Sequence, residues 1–354
     1  MAHGLVRRRS GVVSHRCDRL SITMVADSGH ERGEAMIETR GLRKSYRSRA
    51  GRETKTVDAV RGVDLDVAAG EIFGFLGPNG AGKTTTLRML ATLIEPDGGQ
   101  ATIAGADLRT DPGEVRRRIG YVAQGGSTWD ESTAREELVL QARLYGISKA
   151  EAQRRAVRAL EAFQLTEFAD RKCKTYSGGQ RRRVEIALGI IHEPKIVFLD
   201  EPTTGLDPQS RAHMWDEIRR LRTDGMTVFI TTHYLDEADA LCDRIAIMDH
   251  GEVVAEGTPA GLKREISGDV VQLGLSINAT TEAEKLLAVE EYVSRLEALD
   301  EGGLRLFVDD GATAIPRILR RVDGAGLDLK SIELHRPSLD DVFLTKTGRS
   351  LRES

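Results

Sequence analysis

Glu71-Ile72-Phe73-Gly74-Phe75-Leu76-Gly77-Pro78-Asn79-Gly80-Ala81-Gly82-Lys83-Thr84-Thr85-Thr86 decides how the rest of the 354-residue chain is read. Ile72 to Leu76 is a short apolar run of the kind that forms a buried strand, while Thr86, Leu87, Met89, Leu90 and Leu93 recur at helical spacing. Between them, Gly77 to Thr84 satisfies G-x-x-x-x-G-K-[ST], the phosphate-binding loop, in the strand–loop–helix setting the motif requires. Glycines let successive backbone N–H groups turn inward around phosphate oxygens, where side chains would block the approach. The start of the following helix adds partial positive charge. Lys83 is placed to reach the β- and γ-phosphates, and the Thr84 hydroxyl, followed by Thr85, suits a Mg²⁺ ligand. The loop predicts a nucleoside triphosphate site without saying which kind of NTPase carries it.

Length allows one large domain and a smaller one, each with a core. A net charge of -4 argues against a nucleic-acid partner. No uninterrupted apolar run approaches the length of a bilayer span. Cys17, Cys173 and Cys242 have neither metal-site spacing nor an even count, and read as reduced cytosolic thiols. Residues 1–35 are rich in arginine with no apolar block long enough for a secretory signal. They are expected to be a disordered extension, or the product of a start codon placed ahead of a working beginning at Met36.

From Met36 the pattern is strand-like through Tyr46, and again from Ala59 to Val67. Helical periodicity over 134–145 and 149–163 predicts a helical lobe set apart from the sheet. A helix opening at Gly178-Gly179, the run Ile196 to Leu199, a helix over 208–221 and strands at 227–231, 245–248 and 253–255 complete an α/β domain with a mostly parallel core sheet. After Pro259 the order becomes β-α-β-β-α-β, which predicts a small ferredoxin-like α+β domain over 268–354 beside a nucleotide-binding domain over 36–267.

Two further features work with the loop. The strand over Ile196 to Pro202 ends in Asp200-Glu201, and in a P-loop NTPase such a strand is expected to run beside the P-loop strand. Asp200 would then hold Mg²⁺ beneath the nucleotide, and Glu201, one residue on, would polarise an attacking water. Tyr176-Ser177-Gly178-Gly179-Gln180 opens a helix with a serine and two glycines, a second anion site. A plain N-cap does not call for two glycines, which lower helix propensity. Arg181-Arg182-Arg183 follows, and reads as a solvated helix face.

Ser177-Gly178-Gly179-Gln180 ahead of Leu199-Asp200-Glu201-Pro202, with a P-loop upstream, resembles the ATP-binding-cassette (ABC) ATPases over residues 36–259. The sequence departs from the family at Tyr176, where leucine is usual. The resemblance implies that Tyr46 stacks on adenine and that Gln124 touches Mg²⁺ and reports the nucleotide state. It further implies that Asp200 is the Mg²⁺-associated aspartate, Glu201 the catalytic glutamate, and His233 the γ-phosphate contact. Asp207 would lie on the loop that crosses to a second subunit. ATP would be sandwiched between one subunit's P-loop and the other's Ser177 to Gln180, so a homodimer, or a pair with a similar chain, is implied. Arg336 to Arg349, with Gly99 to Ile103 and the segment 124–138, resembles the daunorubicin-resistance type of ABC ATPase. That type pairs with a separate multi-span permease at the cytoplasmic face of the membrane and drives drug export. The rival readings are a soluble ABC ATPase acting on ribosomes or DNA, or a nucleotide-gated regulatory module. A single cassette, no coiled-coil insertion and a non-basic charge weigh against the first, and the complete set of residues for hydrolysis weighs against the second.

Overall fold

A computed structural model describes residues 35–50, 53–266, 268–299 and 302–348, and every structural statement concerns those residues. The expected extension lies outside them except for Ala35, which starts the first strand. Strands β1 (Ala35–Ala50) and β2 (Glu53–Ala68) form a long antiparallel hairpin whose alternation puts Ile37, Leu42, Val60, Val63, Leu65 and Val67 into the core. The chain continues through β3 (Ile72–Leu76), α1 (Lys83–Leu90), β4 (Gly98–Ile103), β5 (Ala106–Asp107), α2 (Pro112–Arg118) and β6 (Ile119–Val122). Strands β4 and β5 extend the hairpin into a four-stranded antiparallel sheet in the order β2-β1-β4-β5.

Helices α3 (Ala134–Leu144) and α4 (Lys149–Ala162) pack on each other and on α5 (Gly178–Ile190), which gives the helical lobe the sequence predicts. Next come β7 (Ile196–Asp200), α6 (Pro208–Thr223), β8 (Thr227–Thr232), α7 (Leu235–Leu241), β9 (Arg244–Asp249), β10 (Glu252–Gly257) and α8 (Pro259–Ile266). The central sheet runs β10-β9-β3-β8-β7-β6, parallel except for β10 at its edge.

This order corrects one expectation. The Asp200-Glu201 strand does not lie beside the P-loop strand, because β8 runs between them, in register Phe73↔Phe229↔Phe198. Ring packing explains the central place of β8. Phe229 has Phe73 and Phe75 of β3 at 5.5 and 5.6 Å on one side and Phe198 of β7 at 5.6 Å on the other. Each such pair adds about 0.5–1.5 kcal/mol beyond the area it buries. The strand that carries the site's two acidic residues is therefore one strand further from the P-loop strand, and Thr84 at the start of α1 reaches Asp200 directly.

Past residue 266 the chain forms β11 (Asp269–Leu275), α9 (Ile277–Leu287), β12 (Val293–Ala298), β13 (Leu304–Val308), α10 (Gly311–Gly324) and β14 (Leu329–His335). They make the predicted β-α-β-β-α-β order, with an antiparallel sheet β12-β13-β11-β14 over a core of its own that includes Val271, Leu273, Leu306 and Ile318. Helix α11 (Leu339–Thr347) then leaves that core. A capping box of Ser338 and Asp341 starts it, and Leu339, Val342 and Phe343 are buried in the larger core with Ala238, Leu241 and Leu262. The last helix of the described residues thus packs on the larger core.

Candidate functional site

The P-loop is held by backbone constraints before any ligand arrives. A Cβ at Gly77 would lie 2.2 Å from the Met248 carbonyl, so β9 can approach only a glycine there. Gly82 has φ +107°, and a Cβ would lie 2.3 Å from the Ala59 carbonyl of the β1–β2 hairpin. Gly77, Pro78 and Ala81 are buried scaffold, whereas Asn79 and Gly80 are exposed at the lip. Lys83, only 4 % exposed, donates to the Gly77 carbonyl at 2.6 Å and the Pro78 carbonyl at 3.0 Å. Burial pulls its pKa down, and the carboxylates of Glu201 and Asp200 pull it part of the way back.

Above the loop is a cavity of about 340 Å³ lined by Tyr46, Ala59, Asn79, Gly80, Gly82, Lys83, Thr84, Thr85, Gln124 and Glu201. Its floor is the end of β7. Thr84 donates its hydroxyl to Asp200 Oδ1 at 3.1 Å, and Thr231 of β8 donates to the same oxygen at 2.6 Å. Thr231, on the strand between, holds the carboxylate that Thr84 reaches directly. Its Oγ1 also accepts the Glu201 backbone N–H at 3.0 Å. Glu201 sits at φ +46°, a left-handed conformation that costs a non-glycine residue about 1–3 kcal/mol and turns its side chain off the line of the strand. The carboxylate accepts Gln124 Nε2 at 2.7 Å and Thr204 Oγ1 at 3.0 Å on one oxygen. His233 Nδ1 lies 3.3 Å from that oxygen, without hydrogen-bond alignment.

The structure brings Tyr46, Asn79, Gly80, Gly82, Lys83, Thr84, Thr85, Gln124 and Glu201 to one cavity, with Asp200 and His233 in direct contact with its members. Ser177 to Gln180 and Asp207 do not line it. Ser177 caps α5, its Oγ accepting the Gln180 N–H at 3.2 Å while Gln180 Oε1 accepts the Ser177 N–H at 3.0 Å. Asp207 caps α6 through Ser210, whose hydroxyl holds the Asp207 carboxyl below its usual range.

Tyr176, the departure from the family pattern, packs on the core with Leu206 and donates its hydroxyl to the Phe168 carbonyl, so it adds a hydrogen bond that leucine lacks. The three arginines after it are not a solvated face. Arg181 binds Thr128 and Asp130, Arg182 is buried among backbone carbonyls, and Arg183 donates to the Phe163 carbonyl at 3.0 Å. Sequence reading also missed Thr231 and Thr204. Thr231 was open to discovery only through the pairing Asp200↔Thr231, a contact between strands 31 residues apart.

Known proteins agree with this geometry. Residues 60–204 match the ABC transporter family, and residues 257–347 match the family described as ATP-binding protein DrrA1-3-like, C-terminal domain. The chain is 47 % identical over 313 residues to the daunorubicin/doxorubicin resistance ATP-binding protein of Streptomyces peucetius, covering 88 % of this chain and 92 % of that one. The chain belongs to the ABC transporter ATP-binding subunits, in the daunorubicin-resistance branch. Export ATPases of other cargo are similar as well. The linearmycin resistance ATP-binding protein of Bacillus subtilis is 35 % identical across 90 % of this chain and 100 % of its own. The Nod factor export ATP-binding protein I of Paraburkholderia xenovorans is 37 % identical across 90 % and 99 %. Among solved structures, an ATP-binding cassette seen as a dimer in a post-hydrolysis state with ADP and Pi is 30 % identical, with a TM-score of 0.56, over 63 % of this chain and 98 % of that one. The cassette is an ATPase subunit that powers a membrane exporter.

Proposed function

We propose that two copies of this cassette close on two Mg²⁺-bound ATP molecules at the cytoplasmic face of the membrane. Closure would drive a separate multi-span permease that expels a hydrophobic natural product. The observation that carries the reading is the division of the motifs. Ser177 and Asp207 are exposed on the chain's own surface, away from a cavity that already gathers everything one side of a triphosphate needs. A second copy, presenting Ser177 to Gln180 and Asp207, completes each site.

The residues fit Mg²⁺. Among the described residues no three His, Cys, Asp or Glu side chains converge on a metal site. Mg²⁺ does not need them, because it keeps waters and phosphate oxygens and takes only one or two protein oxygens. Thr84 Oγ1 and Asp200 Oδ1, 3.1 Å apart, are such a pair, with Gln124 beside them. When bound, the ion neutralises charge on the β- and γ-phosphate oxygens.

The P-loop amides and Lys83 hold the phosphates, Lys83 exchanging the Gly77 and Pro78 carbonyls for phosphate oxygens. Glu201 takes a proton as the oxygen of water attacks the γ-phosphorus, and the bond to the bridging oxygen breaks with its electron pair leaving on ADP. Gln124 and Thr204 fix the direction of the Glu201 carboxylate. His233 steadies the γ-phosphate. Tyr46, 44 % exposed at the rim, stacks on adenine. Tyr46→Ala is expected to weaken ATP binding by about 1–3 kcal/mol, the range for a base on an aromatic ring, while Tyr46→Phe stays near wild type. Titration with a fluorescent ATP analogue measures both.

No helix among the described residues is long and apolar enough to cross a membrane. The permease's cytoplasmic helix would dock on the segment 124–136, where Trp129 is 72 % exposed five residues after Gln124. The test is efflux. Cells carrying the cassette with its cognate permease are expected to clear daunorubicin fluorescence, and cells carrying Glu201→Gln in its place to retain it. Equal retention by the two would sink daunorubicin-type compounds as the cargo.

A further inference from the structure

Helix α5 begins at the Ser177–Gln180 turn, and the arginines after it point inward. Arg182 is 7 % exposed. Its Nε donates to the Pro202 carbonyl at 2.9 Å, Nη1 to the Ala123 carbonyl at 2.7 Å and to Glu185 at 2.9 Å, and Nη2 to the Asp200 carbonyl at 3.1 Å. Three of these four acceptors are backbone carbonyls that bracket the site. Ala123 precedes Gln124, and Asp200 and Pro202 flank Glu201. Glu185, itself 5 % exposed, backs the same loop, since a Cβ on Gly126 would lie 3.0 Å from its Oε1. Arg181 takes the loop's other end, with Nε on Thr128 Oγ1 at 2.7 Å and Nη2 on the Thr128 carbonyl at 2.9 Å and Asp130 at 2.8 Å. The segment 123–130 is fastened to α5 at both ends.

We propose that Arg182 is a positioning residue that couples the two ATP sites of the dimer, by joining the Ser177–Gln180 turn to Gln124 and Glu201 in one body. The proposal rests on the shared-site reading above. In that reading the turn of one chain touches ATP held by the partner, while Gln124 and Glu201 of that chain act on its own ATP. The two half-sites are far apart along the chain, and one side chain joins them. A shift of α5 on the partner's phosphate is therefore a shift of the carbonyls on both sides of the catalytic glutamate. The geometry asks for arginine. A planar fork with five N–H donors satisfies acceptors in several directions, whereas the ammonium of lysine is a compact charge without the fork. Coupling of this kind is reciprocal, so each site's occupancy alters the other's affinity.

The experiment compares wild type, Arg182→Lys and Arg182→Gln in the full chain. It reads ATPase rate against ATP concentration, binding of a fluorescent ATP analogue to dilute monomer, and melting temperature. Wild type is expected to be sigmoidal. Both variants are expected to lose about tenfold or more in kcat, with the Hill coefficient falling to about 1. Monomer affinity for the analogue is expected to stay within about twofold, since Arg182 does not line the cavity. A merely structural arginine would lower the melting temperature and the folded fraction but leave the Hill coefficient of the folded protein where it was. Should Arg182→Gln fail to fold, Arg182→Lys carries the test, because it keeps the stem and the charge. A folded variant with wild-type kcat and Hill coefficient overturns the proposal, and so does full rescue by lysine. If wild type itself turns over with a Hill coefficient of 1, the shared-site reading fails first and takes the proposal with it.

Discussion

Glu201→Gln is expected to leave a dimer that binds ATP and closes but turns it over about 10²–10⁴-fold more slowly, the range that a positioned general base contributes. The substitution keeps the size of the side chain, so the strained φ of +46° and the backbone bond to Thr231 are untouched. An amide cannot take the proton of the attacking water. Gln124 Nε2 and Thr204 Oγ1 both donate to one oxygen of the carboxylate, and the amide oxygen in its place can accept both. Asp200, Thr84 and Lys83 retain their partners, so the proposed phosphate and metal contacts are expected to survive. Phosphate release in the steady state gives the rate, and gel filtration with ATP reports the closed dimer. A rate within tenfold of wild type would remove Glu201 from the role of base and move attention to His233.

The parts of this site that were legible in the sequence are those whose chemistry is local. Gly77 to Thr84 needs its glycines within a few residues of Lys83, because a single loop must wrap one phosphate chain, and the spacing records that need. Ser177 to Gln180 and Asp200-Glu201 are local in the same sense. What stayed hidden depends on contacts between distant segments. In its place between β3 and β7, β8 packs Phe229 against rings on both sides, and no periodicity within any one strand reports that placement. Thr231 followed from that placement and was missed with it. Arg182 was misread for a related reason. An arginine run on a helix is ordinarily solvated, and only the assembled carbonyls of Ala123, Asp200 and Pro202, with the Glu185 carboxylate, make burial of this one favourable. Helix α11 had a readable capping box and apolar spacing, but the surface it packs against belongs to a unit about seventy residues upstream.

A mixed dimer separates the shared site from two independent ones. Lys83→Ala removes the buried ammonium proposed to hold the phosphates, and loss of one such stabilising group typically costs about 10²–10³ in rate at that site. Ser177→Arg fills the exposed turn with a long side chain and closes it to a phosphate. If each ATP lies between the P-loop of one chain and the Ser177 turn of the other, placing Lys83→Ala in one subunit and Ser177→Arg in its partner injures a single site twice. The twin site keeps both of its halves. Placing both substitutions in one subunit opposite a wild-type partner injures both sites once. The first arrangement is therefore expected to turn over ATP at least about tenfold faster than the second, although the two dimers contain the same substitutions in equal number. Two affinity tags isolate each mixed dimer, and phosphate release measures it. Gel filtration checks that Ser177→Arg, which loses the cap on Gln180, still dimerises. Equal rates for the two arrangements, both near half of the wild-type rate, would mean that each chain hydrolyses ATP with its own residues alone, and the exposed turn at Ser177 would be no more than the cap that α5 requires.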